Sequence, residues 1–227
     1  MARRKNMERR RVILRNTFQL IREYGMDGVS FQMIAEETGI SKSLLQSYYP
    51  HKEKLISDII HNLFHTLGTQ IEDYNDIVKN QPFAFTKSFV YTVALLGEYD
   101  DGIDRIITDV FTRNETLNKW CGMLCEWVSE AGLFDEVNPN EREVNAGIAF
   151  VTTGMVRLYC NRRHFNLTPE QIADYTTKAF MYSFMHCSTK QVDQALKLGN
   201  EMVKKADVKA IYKAVDTMFN KGKEFFG

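Results

Sequence analysis

The sequence predicts an all-α protein: an N-terminal three-helix head of helix-turn-helix type, followed by a larger helical body. Three observations predict it. Apolar residues recur at helical spacing along nearly the whole chain, and no run alternates as a strand would. Breakers are few, with 4 prolines and 13 glycines in 227 residues, which favours long helices over many turns. Finally, residues 1–54 carry 11 Lys+Arg against 6 Asp+Glu, whereas residues 55–227 carry 18 against 23. A net charge of zero therefore hides a head of +5 and a body of −5. A basic head suits a segment that meets a polyanion, whether nucleic acid or an anionic membrane surface.

The composition, 44% hydrophobic and 26% charged, is that of an ordinary globular chain long enough to bury a substantial core. No stretch approaches the roughly 18–20 uninterrupted apolar residues that span a bilayer, so no membrane partner is expected. The basic start, Met1 to Asn6, leads into further charge rather than an apolar signal core. Cys121, Cys125, Cys160 and Cys187 are too sparse for a disulfide framework. A cytoplasmic address with reduced thiols is the expectation.

The elements follow in order. A first helix is expected from about Glu8 to Tyr24, with Leu14, Phe18 and Ile21 on one face and Gly25 and Gly28 as its stop. Ser30 suits the N-cap of a short helix that turns Phe31, Ile34 and Ala35 inward. After Thr38-Gly39-Ile40, Ser41 caps a second short helix, Lys42 to Tyr48, which Pro50 keeps from continuing. A long helix over about 52–79 presents Leu55, Ile56, Ile59, Ile60, Leu63 and Leu67. Pro82 breaks the pattern, and helices are expected near 83–98, 103–113, 115–132, 139–163, 169–187, 190–205 and 208–225. Asn138-Pro139 marks one start; Thr168-Pro169 with Gln171 marks another through a capping box. The division is a head over 1–51 and a body over 52–227.

The segment Val29 to Tyr49 carries the functional signal. Two short helices meet across a tight turn, with Gly39 where a left-handed backbone is needed. Ile34, Ala35, Ile40 and Leu45 lock the pair, and Ala35 must be small where the second helix crosses. In such a unit the second helix enters the major groove of DNA. Here the chain resembles the tetracycline-repressor (TetR) family of bacterial regulators. The resemblance rests on Ile34, Ala35, Gly39, Ile40, Ser41, Leu45, Tyr48, Tyr49, Lys52, Glu53 and Leu55, and covers roughly residues 9–56. Gln46 departs from it, standing where the family usually has a tyrosine that helps grip DNA; glutamine is also able to bond adenine bidentately.

The resemblance, with the chemistry of the side chains, implies a homodimeric repressor that binds double-stranded DNA at a palindromic operator and is released by a small molecule. Lys42, Ser43, Gln46 and Ser47 are expected at base edges, and Leu44 at a thymine methyl. Ser30, Ser41, Tyr48 and Lys52, with the amides at helix starts, complete the DNA-binding set. Arg3, Arg4 and Lys5 are expected as an arm into a minor groove. The helices near 139–163 and 169–187 are implied to pair with their copies as a four-helix bundle. Tyr91, Phe111, Trp120, Met123, Trp127, Phe150 and Met155 are the candidate lining of a largely apolar effector pocket; the plain alternative is ordinary core. Filling that pocket is expected to shift the body between two packings and re-space the heads through the 52–79 helix.

Three further clusters of titratable residues carry weaker signals. His61 and His65, with Asp58, have metal-like spacing but lack the glutamate of a zinc-protease helix. The cysteine pairs lack zinc-finger spacing, and Asp100, Asp101 and Asp104 suit a helix N-terminus. No phosphate loop, nucleophile elbow or dinucleotide fingerprint occurs, so neither an enzyme nor a cofactor nor a metal is expected. The runner-up is a helical ligand-binding or interaction protein whose head has lost DNA affinity, an alternative that Gln46 motivates.

Overall fold

The computed structural model describes residues 6–72, 80–130, 132, 134 and 140–220; among the described residues there are twelve α-helices and no strand. The head comprises α1 (Met7–Gly28), α2 (Phe31–Thr38) and α3 (Lys42–Tyr48), and α4 (Lys52–Glu72) leads out of it. The body follows with α5 (Pro82–Tyr99), α6 (Asp101–Thr112), α7 (Asn114–Glu130), α8 (Glu141–Cys160), α9 (Arg162–Phe165), α10 (Pro169–Ser183), α11 (Thr189–Lys205) and α12 (Val208–Asp216). No described helix is long and apolar enough to cross a membrane.

Each expected helix is present, with ends shifted by a few residues. The start at Asn138-Pro139, residues 73–79 of the connecting helix and the end of the last helix past 220 lie outside the described residues. Pro82 does not simply break the pattern; it is the first residue of α5, where its missing N–H is no loss. The capping box at Thr168 forms in both directions, with Gln171 N donating to Thr168 Oγ1 (3.2 Å) and Thr168 N to Gln171 Oε1 (2.9 Å). The helix it opens stops at Ser183 rather than 187, because His186 (φ +50°) turns the chain and Cys187 N–H donates to the Met181 carbonyl at 2.9 Å.

The buried side chains form one contiguous core running from Ile13 to Phe219. Head and body are joined along α1 and α6. Gly25, at φ +74°, breaks the α1 ladder, a conformation that disfavours any residue with a Cβ. The Met26 N–H it frees is taken by Asp109 Oδ2 of α6 at 2.6 Å. Asp27 pairs with Arg113, and Arg105 donates to the carbonyls of Arg22 and Glu23. Asp100 caps α6 through Ile103 N (2.8 Å) and receives Arg22 Nη2 on both oxygens at 3.0 Å. Burial pushes the Asp100 carboxyl up, but the Ile103 amide and the Arg22 guanidinium outweigh it and hold the group below its ordinary range. Arg113 does the same for Asp27.

The body is organised on α5, which packs against α6, α10, α11 and α12. Phe85, Phe89, Val90, Val93, Ala94 and Leu96 are buried on it, and so are Lys87, Ser88 and Thr92. Near its end Gly97 meets the hydroxyl of Tyr159 on α8, which donates to Asp104 Oδ1 at 2.5 Å. Arg162 Nη2 completes the group on Asp104 Oδ2 at 2.7 Å. The acidic cluster of the sequence is therefore a cap and an ion pair.

A methyl group at Gly97 would occupy the Tyr159 hydroxyl, and Tyr159, 1% exposed, has nowhere to withdraw. Gly97→Ala is expected to lower the unfolding free energy by roughly 1–3 kcal/mol, as overpacking does, measured by urea denaturation.

Candidate nucleic-acid interface and buried cavity

The head is built from short-range signals. Ser30 Oγ accepts Met33 N–H at 3.2 Å and Ser41 Oγ accepts Leu44 N–H at 3.2 Å, so each short helix has its N-cap. Gly39, at φ +65° and ψ +28°, ends α2 in the left-handed conformation, and Ile40 N–H returns to the Ala35 carbonyl at 3.0 Å. Ile34, Ala35 and Leu45 are buried where α2 meets α3. The far end of α3 is pinned by polar contacts: Tyr48 Oη accepts Asn6 N–H at 3.2 Å. Tyr49, fully buried, accepts Arg10 Nε–H at 2.9 Å and donates to Asp58 Oδ2 at 3.0 Å. Arg10 closes the triangle on Asp58 at 2.5 Å. Burial pushes the Tyr49 hydroxyl well above its ordinary range, keeping it a hydrogen-bond donor.

This bracing leaves one side of α3 to solvent. Lys42, Ser43, Gln46 and Ser47 are exposed, together with Ser41 before them and Ser30 at the start of α2. Leu44 is half-buried against the core, and Ser47 Oγ is spent on the Leu44 carbonyl at 2.7 Å. Tyr48 is 9% exposed. Lys52 is set apart: half-buried, it lines a polar cleft of about 240 Å³ between head and body with Asp27, Glu53, Arg113, Glu115 and Lys119. Burial there lowers its ammonium from the ordinary lysine value. Arg3, Arg4 and Lys5 lie outside the described residues.

The body contains an apolar cavity of about 70 Å³. Of the sequence candidates, Phe111, Trp120, Trp127 and Met155 line it; Tyr91, Met123 and Phe150 do not. Phe150 is 64% exposed and Met123 is half-buried against the core, while Tyr91 is half-buried near Glu170 and Asp174. A large apolar residue on a helix declares its burial no more than its face does. Phe85, Phe89, Phe134 and Phe180 supply the remaining aromatic wall. No described charged side chain lines the cavity, and its polar atoms are largely committed. Thr86 and Thr176 donate to the Pro82 and Ile172 carbonyls at 2.9 and 2.8 Å, and Thr152 shares a hydrogen bond with Cys121. Burial raises the Cys121, Cys125, Cys160 and Cys187 thiols, which holds them protonated.

The helices expected to pair with their copies divide their apolar residues. Ile148, Val151, Met155 and Phe180 face the cavity, and Tyr159 and Met185 are buried. Phe150, Tyr175 and Tyr182 are exposed, with Ala146, Ala149, Thr153 and Gly154 exposed along the same side of α8. His61 and His65 stack edge to face at 4.4 Å, and Asp58 is engaged by Arg10. Among the described residues no three His, Cys, Asp or Glu side chains are grouped as metal ligands.

Two short capped helices with a braced core and a polar outer face define a helix-turn-helix regulator head. Residues 13–59 match the family model for bacterial regulatory proteins of the tetR family, a match that covers the head and the start of α4. Among curated relatives, the nucleoid occlusion factor SlmA of Haemophilus ducreyi (strain 35000HP / ATCC 700724) is 29% identical over 86 residues, 38% of this chain and 42% of that protein. The nucleoid occlusion factor SlmA of Pasteurella multocida (strain Pm70) is 32% identical over 102 residues, 44% of this chain and 50% of that protein. The chain thus spans about half or less of the length of the curated relatives it matches. No solved structure matches it.

Nothing lies within 4 Å of a Cβ placed on Gly39, so the left-handed backbone alone sets the effect of substitution there. Gly39→Ala is expected to destabilise the head by roughly 1–2 kcal/mol and Gly39→Asn by less, measured by thermal or urea unfolding of the two variants.

Proposed function

We propose that the protein is a DNA-binding transcriptional regulator, acting as a homodimeric repressor of a palindromic operator and released by a small, uncharged, largely apolar effector. The observation that carries the reading is the α3 surface: Lys42, Ser43, Gln46 and Ser47 stand exposed on a helix whose opposite side, Leu45 and Tyr48, is locked into the head. Side chains so held are able to meet base edges at a fixed register, with Gln46 a candidate for adenine. Ser30, Ser41 and the amides of the α2 and α3 starts take the phosphates that set that register. Lys52, half-buried at the start of α4, is the candidate cation for the DNA backbone.

The dimer reading rests on the exposed side of α8 and α10. Phe150, Tyr175 and Tyr182 stand among alanine, threonine and glycine there, a combination that admits close approach of a second copy. A two-fold pairing sets the α3 helices about 34–36 Å apart, one turn of DNA. The effector reading rests on the cavity. At about 70 Å³ it is well below the roughly 150 Å³ that accommodates benzene in a protein interior. An effector of benzene size or larger fills this space by moving its walls, and if it binds the widened body more tightly than the unwidened one it shifts the equilibrium between them.

A second reading follows from the relatives' name, a role in nucleoid occlusion; the apolar cavity in the body favours the effector-responsive one.

Selection from a random duplex library, followed by titration at two salt concentrations, tests the reading. An enriched palindrome is expected; a folded dimer that enriches nothing and carries no small molecule on mass spectrometry of the denatured protein would sink it. Lys42→Ala is expected to relax preference at one base position by about 1–3 kcal/mol, and Lys52→Ala to weaken all duplexes alike and reduce the salt slope by about 1.

A further inference from the structure

α11 lies along α5, and α12 turns back onto α4 and α5. The near end is fixed at Gly199 of α11. A Cβ there would stand 2.9 Å from the Ala84 carbonyl oxygen and 2.9 Å from Lys87 Cβ, so α11 presses on α5 with no slack. Beside this contact Lys87, with no exposed surface, holds its ammonium 2.5 Å from Asp174 Oδ1 of α10. Asn200 Nδ2 donates to Glu170 Oε1 at 2.6 Å, tying α11 to α10 as well. Removing Asp174 would leave the buried Lys87 ammonium without its counter-charge, so the pair holds α10 to α5.

The far end is fixed on the head. Asp216, which closes α12, pairs with Arg22 of α1, the guanidinium that already holds Asp100. Tyr212 Oη accepts Arg22 Nη2–H at 3.3 Å and donates to Asp100 Oδ2 at 3.2 Å. Phe219, 2% exposed, meets Phe18 of α1 edge-on, with ring centroids 5.8 Å apart. One guanidinium thus joins the head, the corner between α5 and α6, and the C-terminal helix. The latch is only partly shielded, with side chains 15% (Arg22), 25% (Asp100) and 35% (Asp216) exposed, so it is able to open.

These two ends meet through α5. Phe85 and Phe89 form part of the cavity wall, while Ala84 and Lys87 of the same helix bear α11. We propose that α11 and α12 form a strap that holds α1 against the body and carries a displacement of α5 at the cavity wall to the head. A ligand that pushes on Phe85 and Phe89 moves α11 through the Gly199 contact. The movement arrives at Asp216 and Tyr212, where it loosens or re-aims Arg22 and with it α1.

The restraint is tested without DNA, on the full chain, by hydrogen exchange of Asp216→Asn combined with Tyr212→Phe, two substitutions that keep side-chain shape. Exchange across Met7–Gly28 is expected to rise about three- to ten-fold, with Glu141–Cys160 unchanged. Phe219→Leu, which trims the apolar half of the latch, is expected to act in the same direction. Unchanged exchange in both variants overturns the strap. The coupling to the head rests on the DNA-binding reading and is tested by duplex selection with varied half-site spacing, in which the double variant is expected to accept neighbouring spacings that the parent refuses. Faster exchange with the parent's spacing preference overturns the coupling. If neither protein enriches a duplex, the DNA reading fails, and the exchange result alone decides the strap.

Discussion

A helix without a wet face sets the terms for this molecule. Most helices of a globular protein bury one stripe and leave the rest to water, but α5 is enclosed by four neighbours and buries residues around most of its circumference. Each flank therefore has to be matched. The aromatic flank borders the cavity with Phe85 and Phe89, and the opposite flank meets Gly199 and places Lys87 against Asp174. The end abuts Tyr159 at Gly97. A helix so confined cannot move on one side without moving something on the other, which is why the cavity, the C-terminal helices and the head seam belong to one mechanical system.

The junction between head and body adds a second kind of contact to the continuous apolar core. Around that core lies a polar, partly wet set: Asp109 on the Met26 amide, Arg113 on Asp27, Arg22 shared between Asp100 and Asp216. Charge-assisted hydrogen bonds of this geometry are directional, so they favour one orientation of α1 on α6. Interactions screened by water release more readily than a packed apolar seam would. The head is therefore held in a defined pose by contacts weak enough to exchange, while its own interior, around Leu45 and Tyr49, is dry and fully buried. Rigidity within the reading unit and adjustability at its attachment are separated in space.

How much of this was legible in the sequence depended on the range of the signal. The head was legible because Ser30, Gly39 and Ser41 act on residues three or four positions away, and the structure forms each of those bonds. The Thr168 capping box was legible for the same reason. Arg22 carried no such signal: its partners Asp100 and Asp216 lie 78 and 194 residues along the chain. Helical periodicity separates a buried stripe from a wet one but does not say which helix a stripe meets. The cavity was half-legible on the same ground. Trp120 and Trp127 stand out by residue type alone, whereas Phe150, also aromatic, lies away from the Ile148 and Val151 side of α8 and faces out. The threonines of the wall gave no sign, because their hydroxyls are spent on backbone within their own helices.

Trp120 and Trp127 are the two tryptophans of the chain, and both line the cavity. Indole emission is therefore a property of the body alone, and the head is optically dark in that channel. Far-ultraviolet dichroism, by contrast, sums over every helix. The two signals trace the same melting curve only when head and body unfold as one cooperative unit. A gap between them would measure how independently the reading unit comes apart from the chamber behind it.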